Sequence, residues 1–129
     1  MRLLIDTHVL IGSLLRTSTL SPQTRNILSD RSNEVFFSAV SIWEIAIKAS
    51  LRRDDFDLPP STAAAEAVRT GFVELCLDSR TAAHVAALPF HHRDPFDRLL
   101  VAQAITHDLH LYTADAALQP CSDRVVLVS

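Results

Sequence analysis

From one end of the chain to the other, short runs of branched and aromatic apolar residues alternate with longer segments whose apolar residues recur at helical spacing. The runs are Arg2–Ile5, Val35–Phe37, Phe72–Leu77, Leu109–Thr113 and Arg124–Val128. Between them lie Thr7–Leu15, Gln23–Asp30, Ile42–Leu51, an alanine-rich stretch from Ser61 to Gly71, a segment from Asp78 or Ser79 to Leu88, and one from Asp94 to about Thr106. Strands that are apolar almost throughout must be covered on both faces, and strands that each feed a helix run parallel. The pattern therefore predicts a three-layer α/β/α sandwich around a mostly parallel sheet.

Local signals set the expected boundaries. Ser21 before Pro22 is a capping hydroxyl followed by a proline suited to the first helical position. Ser41-Ile-Trp-Glu44 has the form of a capping box opening a helix over 42–51, with Ile42, Ile45 and Ala49 on one face. Ser61 is read as the cap of the alanine-rich helix and Gly71 as its stop. Pro89 closes the next helix, Asp94 and Pro95 open another, and Ala114–Leu118 reads as a helical turn.

The 129 residues, 48% of them hydrophobic, suit one domain over 1–129 and leave no room for a second catalytic one. The apolar N-terminal run is interrupted by Asp6 and His8 without a small-residue cleavage site after it, and no apolar run reaches membrane-spanning length. Cys76 and Cys121 are far apart and form no CxxC pair; Cys76, within an apolar run, is expected in the core. These features predict a cytoplasmic protein that does not engage a membrane. The net charge of −3 does not announce a nucleic-acid binder, yet carboxylates that hold cations look acidic in a count while being neutralised in place.

Four acids draw attention because of where the alternation puts them. Asp6 directly follows the first strand, Glu44 lies in the first turn after the second, Asp97 opens a helix, and Asp115 lies two residues beyond the fourth strand. Each has a structural reading: Asp6 and Asp115 as N-caps, Glu44 as the partner of Ser41, Asp97 as a complement to a helix dipole. All four nevertheless fall at the carboxyl edge, where loops of open α/β sheets converge on ligands. Ionised carboxylates crowded there require cations between them, and hard oxygen donors select Mg²⁺ or Mn²⁺. Such a centre can activate water for in-line attack on a phosphodiester.

The blocks LLIDTHVLI, SIWEIAIK, LPFHHRDPFDRLLVAQA and LYTAD resemble, in that order, those of the VapC toxins of the PIN-domain family, over nearly the whole chain. The resemblance implies a Rossmann-like sandwich of about five parallel strands and a metal-dependent endoribonuclease using Mg²⁺ or Mn²⁺. It implies metal-binding roles for Asp6, Glu44, Asp97 and Asp115, RNA such as tRNA as substrate, a cognate VapB-like antitoxin as inhibitor, and a homodimer. Thr7 and Thr113 match hydroxyl positions that orient the acids, while as strand-end hydroxyls they have an equally good structural reading. Lys48, one turn beyond Glu44, is either an i,i+4 partner or a phosphate contact. Arg98 is a candidate to approach RNA.

Asp94 before Pro95 is read first as a helix cap and second as a ligand. His91 and His92 share its loop, without a second histidine pair that would make a histidine metal site, so solvent or RNA contact is expected of them. Trp43 is read as core or dimer interface before a base-stacking platform. The rival classes are a PIN-type nuclease acting on other RNA or on DNA flaps, and a phosphoacceptor module of the receiver or aspartate-phosphatase kind. A phosphatase wants a second aspartate where His8 stands, and a receiver wants a lysine after a late strand, whereas Lys48 is the only lysine.

Overall fold

The computed structural model describes residues 1–15, 20–51, 58–89 and 94–128. Its five strands are β1 (Arg2–Ile5), β2 (Glu34–Ser38), β3 (Val73–Leu75), β4 (His110–Thr113) and β5 (Val125–Leu127). They form one sheet in the order β3-β2-β1-β4-β5, with every neighbouring pair parallel. The helices are α1 (Thr7–Leu14), α2 (Pro22–Ser29), α3 (Ala39–Ser50), α4 (Pro60–Thr70), α5 (Ser79–His84) and α6 (Pro95–Thr106), with 3-10 turns at Val85–Ala87 and Ala116–Cys121.

Pleating sends alternate residues of the central strand to opposite faces. Leu3 and Ile5 join a core with Val9 and Leu10 of α1, Ala63 and Ala67 of α4, and Phe37. Leu4 packs on the other side with Leu100, Val101 and Ala104 of α6, Leu111 and Leu118. These two cores make the three layers that the alternation predicts. Leu3, Leu4 and Ile5 are wholly buried, which stabilises the fold by roughly 1.5–3 kcal/mol per side chain.

The chain builds outward from β1 through β2 to β3, then returns to the opposite side of β1 with β4 and β5. The order thus reverses between β1 and β4, and a crevice opens at the carboxyl ends of strands at such a reversal. Asp6 follows one of these strands and Asp115 the other.

Several boundaries differ from the sequence reading. Helix α3 starts at Ala39, capped by Ser38, whose Oγ accepts the Val40 amide at 3.0 Å. Ser41 is therefore inside the helix and buried, and no capping box forms; Glu44 lies in the second turn. The buried positions of α3 are Val40, Ser41, Glu44 and Ile45, whereas Ala49 is exposed. Helix α4 starts at Pro60, with Pro59 rather than Ser61 at the cap position and no side-chain cap. Its end is as expected: Gly71 has φ +108°, a conformation that costs a β-carbon residue roughly 1–2 kcal/mol. The third strand has only three residues, at the sheet edge, and the chain leaves the sheet before Cys76, which is exposed rather than in the core. The last helical turn spans Ala116–Cys121 instead of 114–118. Among the described residues no helix is long and apolar enough to cross a membrane. His91, His92 and the rest of the loop 90–93 lie outside the described residues.

Candidate functional site

Asp6 leaves β1 in extended conformation and caps α1, its Oδ1 accepting the Val9 amide at 2.8 Å. Its Oδ2 accepts the Thr113 hydroxyl at 2.5 Å. The same hydroxyl accepts the amide of Asp115 at 3.0 Å, and Asp115 Oδ1 in turn accepts the Ala117 amide at 2.9 Å. Thr113, wholly buried at the end of β4, is thus a bridge between two acids that arrive from adjoining strands. The capping readings of Asp6 and Asp115 are correct for one oxygen of each, and capping does not exhaust either carboxylate.

Glu44 reaches the same place from α3. It is 8% exposed, its Oε2 lies 3.0 Å from Lys48 Nζ, and its Oε1 is buried without a hydrogen-bond partner. A buried acceptor left unmatched costs roughly 1–3 kcal/mol, more when charged, so this oxygen is suited to a cation or donor. The Thr7 hydroxyl donates to Ser41 Oγ at 2.9 Å and pins the start of α1 to α3. Asp94 Oδ1 accepts the amides of Phe96 and Asp97, at 2.9 and 3.3 Å, and so caps α6, with Asp97 in its first turn.

Asp6, Glu44, Asp97 and Asp115 line one cleft of about 400 Å³, together with Asp94, Thr7, Lys48, His8, Ile11 and Ala114. Two residues expected near it take other positions. Thr113 is beneath the floor rather than on it. Arg98 donates to the carbonyls of Val85 and Pro89, at 3.1 and 3.2 Å, tying the start of α6 to the turn after α5. His8 lines the cleft without having been singled out for it, though it was legible as the exposed helical neighbour of Asp6; Ser41, which anchors Thr7 without lining the cleft, was hidden by its resemblance to a cap.

Burial pushes the Asp6 carboxyl above its ordinary pKa, and the nearby Glu44 charge adds to the rise; the bonds from Thr113 and Val9 and the charge of His8 oppose it. An added positive charge would relieve the crowding. The donor set is all carboxylate oxygen, and with the unmatched Glu44 Oε1 it fits a hard divalent cation. The acids stand along the cleft walls: among the described residues no three His, Cys, Asp or Glu side chains are gathered closely enough to hold a metal ion. A larger cavity, about 700 Å³, opens near the amino ends of β2 and β3 beside Arg25, Arg31, Asn33 and Phe72. Its one acid, Asp30, is engaged by Ser32, so the crowded carboxylates are those of the smaller cleft.

Residues 3–120 match the family model described as PIN domain. No curated protein matches the chain significantly. Solved structures share the fold at low identity. A toxin-antitoxin complex from Klebsiella pneumoniae aligns with a TM-score of 0.65 and 18% identity over 96% of this chain and 95% of that one. VapBC2 from Rickettsia felis, bound to a DNA fragment from its promoter, gives 0.68 and 10% over 98% and 97%. FitAcB from Neisseria gonorrhoeae gives 0.62 and 21% over 100% and 97%.

Proposed function

Since this chain belongs to the PIN-domain family, whose members are nucleases that generally use divalent metals, we propose that it is a single-domain, metal-dependent endoribonuclease and the toxin of a toxin-antitoxin pair. The observation that carries the reading is the convergence of Asp6, Glu44, Asp97 and Asp115 on one cleft at the reversal of strand order. In this reading Asp6, Glu44, Asp97 and Asp115 hold Mg²⁺ or Mn²⁺. A divalent cation bound there supplies positive charge beside the phosphodiester and acidifies water for in-line attack.

The chain's own groups divide the remaining work. Thr113 fixes the rotamer of Asp6 and the backbone of Asp115 together, so the two walls of the cleft cannot drift apart independently. Lys48 holds one oxygen of Glu44, leaving the other to face a cation. Asp94 sets the first turn of α6 and hence the place of Asp97. Attack and departure of the leaving oxygen need no protein nucleophile.

The partners follow from the same reading: RNA such as tRNA as substrate, a VapB-like antitoxin, and a second copy of the chain in a homodimer. The similar folds from Klebsiella, Rickettsia and Neisseria, two of them named as toxin-antitoxin or VapBC assemblies, support it. The test is cleavage of total cellular RNA with and without EDTA, with the cut ends sequenced. Defined ends that vanish with EDTA are expected; cutting that persists in EDTA, or no cutting of any RNA, would overturn the proposal.

A further inference from the structure

Trp43 is the only tryptophan of the chain and is 54% exposed, so it is not the core residue its type suggests. One edge of the indole is nonetheless held. It meets the Phe96 ring in a T-shaped contact, with centroids 5.1 Å apart and planes at 70°. Phe96 is itself partly buried against the α6 core, and its amide is bound to Asp94, a residue of the cleft. Trp43 immediately precedes Glu44, and Phe96 immediately precedes Asp97. The aromatic pair therefore bridges α3 and α6, the two helices that carry Glu44 and Asp97 into the cleft, and presents a positioned indole to solvent.

The charge balance says what such a surface is for. The cleft lining sets five carboxylates against Lys48 and His8, and Lys48 is already paired with Glu44. Arg98, the arginine of α6, is drawn to the carbonyls of Val85 and Pro89. Among the described lining residues the side-chain cations are thus few, so a contact that is not ionic would add to the hold on a polyanion entering here. Stacking of a base on an indole is such a contact, and it requires a base whose face is not covered by its own neighbours.

We infer that Trp43 is a stacking platform for an unpaired base adjacent to the phosphodiester in the cleft, which makes it a specificity-determining residue for single-stranded RNA. The inference rests on the nuclease reading above and deepens it.

With a single tryptophan, indole emission reports this residue alone. The experiment titrates the full chain with a single-stranded octaribonucleotide and with its blunt duplex, with Ca²⁺ in place of Mg²⁺ to keep the strand intact, and follows tryptophan emission and oligonucleotide anisotropy together. Cleavage of the same oligonucleotide in Mg²⁺ is measured separately. The expected result is saturable quenching by the single strand with the Kd given by anisotropy, little quenching by the duplex, a Kd about tenfold weaker in Trp43→Ala, and binding kept in Trp43→Phe. Binding by anisotropy with unchanged emission, or equal quenching by the duplex, overturns the stacking role while cleavage in Mg²⁺ keeps the nuclease reading. Emission that shifts with protein concentration alone assigns Trp43 to an interface between copies and overturns it too. Absence of both binding and cleavage overturns the nuclease reading itself.

Discussion

Thr113 donates its hydroxyl hydrogen to Asp6, 107 residues away in sequence, and with the same oxygen accepts the amide of Asp115. The bond joins the ends of two adjoining parallel strands, and it couples the position of one acid to that of another. Thr113→Val removes the donor and leaves a buried Asp6 oxygen unmatched, at a cost of about 1–3 kcal/mol. We expect RNA cleavage to fall about 10–100-fold, as for other residues that orient ligating groups, and Thr113→Ser to restore most of it. Denaturant unfolding and cleavage rates measured on both variants check this; a Val variant with undiminished cleavage would remove Thr113 from the site.

Neutralising the four acids separates them from their neighbour. Asp6→Asn, Glu44→Gln, Asp97→Asn and Asp115→Asn are each expected to lower RNA cleavage more than about 100-fold with the far-UV spectrum unchanged. Asp94→Asn is expected to stay within about tenfold of the parent, because asparagine caps α6 as well as aspartate does. Equal losses in Asp94→Asn and Asp97→Asn would make Asp94 a ligand.

Asp6 also makes stability depend on pH. Its folded pKa lies above the ordinary 3.8, chiefly through burial, so the folded chain binds more protons than the unfolded one between those two values. That contribution to stability is whole below 3.8 and is lost as pH rises through the folded value. In EDTA, Tm should fall across that window, and Asp6→Asn should flatten the fall and melt higher than the parent at pH 7. Mg²⁺ or Mn²⁺ should raise the Tm of the parent and leave Asp6→Asn unmoved. A lower Tm for Asp6→Asn in EDTA contradicts the burial argument.

Gln103, on the same helix as Asp97, is wholly buried and reaches Ser38, the cap of the helix that carries Glu44. It accepts from Ser38 at 2.5 Å and donates to the Cys76 carbonyl at 3.4 Å. Gln103→Leu keeps the bulk and strips both bonds, and should cost about 1–3 kcal/mol in urea unfolding. An unchanged midpoint would show that the relaxed core re-pairs Ser38 elsewhere.

The architecture was legible because its determinants are local. Branched apolar runs, Pro22 after Ser21, Pro95 after Asp94 and Gly71 each act within a few residues of themselves, and strand direction follows from the helices between. The start of α3 was not, because Ser38 and Ser41 both look like caps. What separates them is remote: Ser38 reaches Gln103 and Ser41 reaches Thr7. Cys76 was misplaced for a related reason, since an apolar run does not say whether it lies at the sheet centre or edge. The acids shared an edge in the alternation, but the Thr113 bridge and the unmatched Glu44 oxygen arise only from tertiary packing.

The reversal of strand order also sets a schedule. β1 occupies the centre of the sheet, yet its second neighbour, β4, together with Thr113 and Asp115, is synthesised more than a hundred residues later. At translation rates of about 5–20 residues per second, the nascent chain spends roughly 5–20 s with Asp6 made and the opposite wall of the cleft absent. On the function proposed, the growing chain is harmless to the ribosome that makes it, and activity arrives only when the last two of the five strands have joined the sheet.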